Sequence, residues 1–264
     1  MSSNIINITK NDVNFNVISN QAPRKVPRKI WNKIRQNTWE EETFKILDRY
    51  LKSENSYIDI GAWIGPTVLY GAHKTKHVYG VEPDSIAFKE LVTNVNLNPS
   101  ISSKVTCINA AITEKSGNTN LYKRGKFGNS MSSLIPTMSH KCHQVRGITI
   151  HDLISENNIE NVNFIKIDIE GGEYSLIPNL YEFLKSQKPT LYLSIHPRFL
   201  KENLDLISTK DTNNSEYFKF KTEKLWESLQ FYKYTYDNLG NPINKDAIFH
   251  VMKTGEFLFT NKCW

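Results

Sequence analysis

Apolar and polar positions switch between two periods along this chain, and the switches predict most of its elements. Residues 1–21, rich in Asn and Ile, predict a short strand or a loose arm. Trp39, Phe44, Leu47 and Leu51 then approximate one apolar face of a helix. Tyr57–Ile60 is a short apolar run followed at once by Gly61 and Gly65, the pattern of a buried strand entering a turn. His77–Val81 predicts a second strand, and Phe88, Leu91, Val92 and Val95 give helical spacing between Ile86 and Leu97. Further strands are predicted at Val105–Ile108, Asn163–Ile169 and Thr190–Ile195, with a loop and a hairpin over Asn109 to Tyr122. Residues 123–144 carry Gly125, Gly128, Ser130, Ser132 and Ser133 and read as a mobile loop. Tyr232–Tyr236 and Glu256–Thr260 predict an antiparallel hairpin pair at the sheet edge. Strands alternating with helices predict an α/β, Rossmann-like fold: a mostly parallel sheet with helices on both faces and an antiparallel C-terminal hairpin.

Composition narrows the class. At 264 residues, one core with appendages is expected: an N-terminal arm and helix over 1–37, and one domain over 38–264 with a variable helical insertion at 198–230. With 39% hydrophobic and 23% charged residues the chain reads as an ordinary globular protein. Its apolar runs are strand-sized, well short of the roughly 20 residues of a membrane span. The first nine residues lack the basic-then-apolar layout of a signal peptide. Cys107, Cys142 and Cys263 are odd in number and widely spaced, as free thiols in a reducing cytoplasm would be, so a cytoplasmic protein is expected. A net charge of +6 permits an acidic partner without requiring one, and nothing in the pattern sets the oligomeric state.

In an open parallel sheet ligands bind beyond the carboxyl ends of the strands, so the polar residues there are the candidates. After the first strand runs Asp59-Ile60-Gly61-Ala62-Trp63-Ile64-Gly65, in which Gly61 allows a tight turn and Gly65 a closely packed helix. Glu82, with Pro83, ends the next strand about 20 residues on, where a carboxylate accepts hydrogen bonds from the ribose hydroxyls of an adenosine cofactor. Asn109 follows the third strand. A dinucleotide needs a second glycine for its pyrophosphate, and Trp63 occupies that position. A sulfonium methyl donor has no pyrophosphate and favours nearby carboxylates such as Asp59. In Asn163–Glu173, strand alternation puts Lys166, Asp168 and Glu170 on one face. Such charges are costly to bury unless paired or functional, and a Lys166–Asp168 structural pair is the plain alternative.

These segments resemble the FkbM family of methyltransferases. The family pattern appears here as IDIGAWIG from Ile58, VEPD from Val81 and KIDIEGGE from Lys166, in the same order. Trp39-Glu40 is similar to an aromatic–Glu pair, Ser132-Ser133-Leu134 to a serine pair in the central loop, Thr149–Leu153 to the element before the fourth strand, and Ile195-His196-Pro197 to the end of the fifth. The likeness covers roughly residues 38–200, and the family commonly has Asn where this chain has Trp63. It implies a class I methyltransferase fold, S-adenosyl-L-methionine as donor, and O-methylation of a sugar, glycan or glycosylated small molecule.

The expected cofactor residues are Asp59, Gly61, Ala62, Trp63, Gly65, Glu82, Pro83, Asn109 and Asp168. No N/D-P-P-Y/F turn for an exocyclic amine follows the fourth strand, which favours a hydroxyl acceptor. An alcohol needs a base as it attacks; His196 is placed to serve, Asp168 could do the same or orient the histidine, and Asp168 and Glu170 could hold an ion. The donors would suit a divalent metal, but the set is incomplete and no metal is assigned; His140-Lys141-Cys142-His143 lacks the second ligand pair zinc needs. Two alternatives stand: a ribose methyltransferase of RNA, prompted by Arg24, Lys25, Arg28, Lys29, Lys33, Arg35, Lys123, Arg124 and Lys126, and a non-catalytic cofactor-binding domain. No base-stacking module supports the first, so a nucleic-acid partner is not expected. Residues 198–230 and 123–144 are expected to cover the acceptor pocket.

Overall fold

The chain order of strands is what places a crevice in the middle of this molecule. The computed structural model describes residues 5–21, 26–27, 29–207 and 213–264, so Arg24, Lys25, Arg28 and part of the expected insertion lie outside the described residues. In chain order come β1 (Ile5–Lys10), β2 (Val13–Ile18), β3 (Asn20–Gln21), β4 (Val26–Pro27), α1 (Lys29–Arg35) and α2 (Glu41–Tyr50). Then follow β5 (Ser56–Ile60), α3 (Pro66–Ala72), β6 (His77–Val81), α4 (Ser85–Asn96), α5 (Pro99–Ser102) and β7 (Val105–Ile108). A small sheet, ordered β8-β10-β9, is built from β8 (Ala111–Ile112), β9 (Gly117–Tyr122) and β10 (Cys142–Ile148). The chain continues through α6 (Ile150–Glu156), β11 (Val162–Ile167), α7 (Glu173–Asn179), α8 (Tyr181–Gln187) and β12 (Thr190–Ile195). It closes with α9 (Pro197–Ile207), α10 (Asn214–Glu227), β13 (Tyr234–Asp237), α11 (Lys245–Phe249) and β14 (Gly255–Thr260).

The central sheet has the order β13-β14-β12-β11-β5-β6-β7. Its five strands from β12 to β7 pair in parallel, and β14 runs antiparallel to both β12 and β13. This is the α/β fold expected from the alternation of elements. β5 and β12 are buried at every position, as strands covered by helices on both faces must be. Period-2 alternation still sorts their side chains. Ile58, Ile165, Ile167, Leu191 and Leu193 join one core cluster with α7 and α8, while Tyr57, Phe164 and Tyr192 join the other with α2, α3 and the N-terminal hairpin.

Three boundaries differ from expectation. Residues 5–18 form a hairpin whose Ile8, Val13, Phe15 and Val17 pack with Trp31 and Ile34 of α1. β9 pairs across the long loop with β10, Tyr122 opposite Cys142, rather than folding back on itself before Tyr122. The fourth parallel strand stops at Ile167, not Ile169, because Glu170 (φ 57) and Gly171 (φ 101) take left-handed conformations that no strand can continue through. Glu170 therefore stands in a turn rather than on a strand face with Lys166.

Candidate active site

The sheet order runs one way from β5 through β6 to β7 and the other way from β11 to β12, so the switch point lies between β5 and β11. A cavity of 580 Å³ opens there, bounded by the turns that follow β5, β6, β11 and β12. That volume sits within the usual range of small-ligand pockets, about 300–1,000 Å³.

The turn after β5 makes one wall. Gly61 has φ 90, and a Cβ built on it would lie 1.9 Å from the Asp168 carbonyl oxygen, so no side chain fits where the two strand ends meet. Ala62 and Trp63 follow along the cavity. Trp63 is itself left-handed (φ 49), a costly conformation for an aromatic residue. Its backbone N–H donates to Glu82 Oε2 (2.8 Å) and its indole Nε1 to the Gly128 carbonyl (3.3 Å). Gly65 and Asp59 do not line the cavity. Gly65 turns the chain into α3, and Asp59 lies fully buried beneath the floor, accepting from Thr67 Oγ1 and pairing in register with Lys166. Burial pushes the Asp59 carboxyl up, against the pull of Lys166.

Glu82 and Pro83 form the next wall. Besides Trp63, the Asp84 N–H donates to the Glu82 carboxylate, at 2.7 Å to Oε1. Burial nevertheless pushes this carboxyl up to about 8, the two backbone donors only partly offsetting it. Asn109 is exposed and stays outside the cavity, donating from Nδ2 to the carbonyls of Glu82 (2.8 Å) and Pro83 (3.2 Å), which braces the turn from behind. Asp84 caps α4 through Oδ1, and its Oδ2 accepts from the Gly128 N–H (2.7 Å) and Ser132 Oγ (3.2 Å). The loop expected to be mobile is thereby fastened across the cavity, which Asn129 to Leu134 line.

At the far side stand Asp168, Glu170 and His196, all three on the cavity wall. His196 Nε2 lies 3.6 Å from Asp168 Oδ1 and 3.5 Å from Glu170 Oε2, while Nδ1 meets Glu173 Oε1 at 2.9 Å. Burial works against charging the imidazole, but Glu173, Asp168 and Glu170 outweigh it and push it up to about 10. Burial likewise opposes an ionised Asp168, yet Lys166 and His196 hold it below the usual carboxylate range. The Lys166–Asp168 ion pair at 3.2 Å is the structural pairing foreseen as the plain alternative. Burial raises Glu170.

Several groups in and behind this wall have no counterpart among the site residues expected from the sequence. Glu173 is fully buried, with Oε1 accepting from the Ile169 N–H (3.1 Å) and Oε2 from the Gly171 N–H (3.0 Å). Its place in the KIDIEGGE run was visible, but its role depends on a turn that strand alternation does not foresee. Glu40, raised by burial, and Glu256 line the end near Lys166, Ser194 and Thr254. Glu256 has no local signal, since β14 reaches the site only through sheet pairing. Of residues 198–230, Phe199 faces the cavity, whereas Phe218, Leu225 and Trp226 of α10 join the core.

Asp168, Glu173 and His196 offer ligand atoms within 4.8 Å of one another, the one such group among the described residues. Both oxygens of Glu173 are already engaged by backbone N–H groups and the imidazole, so the group resembles a closed hydrogen-bond network more than an open metal site.

The methyltransferase FkbM domain matches residues 59–237 of this chain. No curated protein sequence matches it. Among solved structures, a methyltransferase FkbM from Methylobacillus flagellatus KT is 15% identical, the match covering 87% of this chain and 52% of that one at a TM-score of 0.43. Trm5b from Pyrococcus abyssi is 11% identical, covering 97% and 54% at a TM-score of 0.42. A TehB-like SAM-dependent methyltransferase from Corynebacterium glutamicum ATCC 13032 Kitasato is 10% identical, covering 89% and 95% at a TM-score of 0.45. The chain spans about half the length of the first two. No helix among the described residues is long and apolar enough to cross a membrane. The matched stretch contains the turns after β5, β6, β11 and β12 that bound the cavity, and the architecture is that of class I methyltransferases. The chain belongs to the FkbM family of methyltransferases.

Proposed function

We propose that the cavity holds S-adenosylmethionine and that the protein transfers its methyl group to a hydroxyl of a sugar, glycan or glycosylated small molecule. The observation that carries this reading is that Glu82 and the Gly61–Trp63 turn share one cavity with Asp168, Glu170 and His196. The first set suits an adenosine: a buried carboxylate for the ribose hydroxyls, beside a turn that approaches closely through Gly61. Trp63 fills the path a dinucleotide pyrophosphate would need. Asp168, held below the usual carboxylate range, offers negative charge to a sulfonium. The second set suits a neutral polyol, because carboxylates accept hydrogen bonds from hydroxyls. The Asp168–His196–Glu170 cluster supplies groups to steer and deprotonate a hydroxyl held in line with the methyl group, where positioning lowers much of the barrier.

The test is transfer of radiolabelled methyl from S-adenosylmethionine to a panel of sugars, nucleotide sugars, glycans and RNA. Label in an alkali-stable ether on a sugar hydroxyl is the expected result. Label on RNA ribose would install the nucleic-acid reading, and binding of the donor without transfer to any acceptor would leave a non-catalytic domain.

A further inference from the structure

On the footing of that reading, we propose that Glu173 and the neighbouring carboxylates fix His196 with a hydrogen on both ring nitrogens, and that Glu170 takes the proton from the acceptor hydroxyl. The sequence places His196 as the base; the hydrogen-bond complementarity around it reverses the assignment.

Glu173 comes first because its state is determined by the backbone. Its carboxylate is wholly buried and receives two main-chain N–H groups, from Ile169 on Oε1 and from Gly171 on Oε2, donors that cannot be withdrawn. Both carboxylate oxygens are thus acceptors, so the imidazole Nδ1 at 2.9 Å from Oε1 carries the hydrogen between them. The other nitrogen, Nε2, faces Asp168 Oδ1 at 3.6 Å and Glu170 Oε2 at 3.5 Å on a side chain only 7% exposed. A lone pair aimed between two carboxylate oxygens is repelled, whereas an N–H there is attracted to both. The ring cannot turn away. Phe199 stacks on it with centroids 5.7 Å apart and planes 8° off parallel, and the Arg124 guanidinium covers Phe199 from beyond at 3.7 Å, paired with Glu202. The charged groups around the imidazole are thus Asp168, Glu170 and Glu173 in contact, Lys166 across Asp168, and Arg124 across Phe199.

An imidazole protonated on both nitrogens has no lone pair to give. Of the two carboxylates beside it, Asp168 Oδ2 is bound by the Lys166 ammonium at 3.2 Å. Glu170 has no such partner: among the described residues, its nearest cation is the imidazole at 3.5 Å. Its left-handed backbone is held by the Gly171 turn and by Ser133 Oγ, which donates to the Glu170 carbonyl at 2.8 Å. In the transfer, the hydroxyl oxygen forms a bond to the methyl carbon as the carbon–sulfur bond breaks. The sulfur keeps that electron pair, leaving S-adenosylhomocysteine, and the hydroxyl proton passes to the Glu170 carboxylate. His196 donates throughout and keeps its protons.

The deciding experiment needs no acceptor: nitrogen-15 imidazole and carbon-13 carboxyl NMR titrations of the whole protein from pH 6 to 9, with and without S-adenosylhomocysteine. His196→Gln and Glu170→Gln identify the two signals. Expected is a His196 ring that stays an imidazolium up to pH 8 while Glu170 gains and loses its proton within the range. In Glu173→Gln the imidazole should titrate at least about one pH unit lower, a change that mere loss of packing does not produce. A neutral His196 at pH 7 in the wild type overturns the proposal, whether or not Glu173→Gln folds. So does a Glu170 that stays ionised down to pH 6 while His196 titrates. If S-adenosylhomocysteine fails to bind, the donor reading falls while the titrations still decide the proton assignment.

Discussion

Replacing Gly61 by Ala presses on the point where the two halves of the sheet meet. The residue has φ 90, and holding an L-residue in a left-handed conformation costs roughly 1–2 kcal/mol. The new Cβ would lie 1.9 Å from the Asp168 carbonyl oxygen and 2.9 Å from its carbon. Ordinary contact is about 3.5 Å, so the strand ends must part by over an ångström. Parting them breaks the bond from the Asp168 N–H to the Ile60 carbonyl, now 3.0 Å, and a buried orphan of that kind costs about 1–3 kcal/mol. The total, about 2–5 kcal/mol, reaches the severe end for one substitution. Gly117 is the matched control, since it also has positive φ (144) but nothing within 4 Å of a built Cβ. Urea unfolding should show Gly117→Ala losing only the backbone share, with S-adenosylhomocysteine affinity unchanged by calorimetry. Gly61→Ala should lose at least twice as much stability and bind at least tenfold more weakly. If the two variants unfold alike and bind alike, the close approach of Gly61 to Asp168 is not what shapes the crevice.

Other consequences follow from the same geometry. Glu82 is raised from 4.5 to about 8 in the folded protein, so its stabilising contribution is complete below 4.5 and is lost as the pH climbs through 8; between pH 5 and 9 the unliganded wild type should lose melting temperature faster than Glu82→Gln. Trp63→Phe removes the indole donor to Gly128, which should speed hydrogen exchange across residues 125–133 and weaken S-adenosylhomocysteine binding by about 1 kcal/mol, roughly fivefold; unchanged exchange would mean that Asp84 alone secures the loop. Treatment with EDTA should leave methyl transfer intact, because Glu173 is occupied by its own donors; loss of activity restored by magnesium would make Asp168, Glu170 and His196 metal ligands.

The parallel core was legible because its strands are apolar runs with sharp ends. His77–Val81, Val105–Ile108 and Thr190–Ile195 occupy the expected limits. Gly61 and Glu82 were legible for the same reason, each standing directly after a strand. Legibility failed where long-range pairing or backbone handedness decides. Asp59 reads as a ligand of the cofactor, but its strand buries it under the floor against Thr67 and Lys166. Asn109 reads as a cavity residue, but just past the end of β7 it lies exposed and braces Glu82 and Pro83 from behind. Strand alternation placed Glu170 beside Lys166, and the left-handed turn at Glu170–Gly171 moved it to His196 instead. Glu40 and Glu256 reach the same cavity from α2's entrance and from the antiparallel β14, a meeting that local patterns along the chain do not encode.

Calorimetry of S-adenosylhomocysteine with the wild type and with Glu82→Ala measures directly what occupies the crevice. One site per chain is expected in the wild type. Glu82→Ala should lose roughly 1–3 kcal/mol, about five- to 150-fold in affinity, the cost of leaving two ribose hydroxyls and the Trp63 and Asp84 N–H groups without their acceptor. Absence of binding in a folded wild type, unchanged affinity in Glu82→Ala, or preferential binding of NAD would contradict the donor reading.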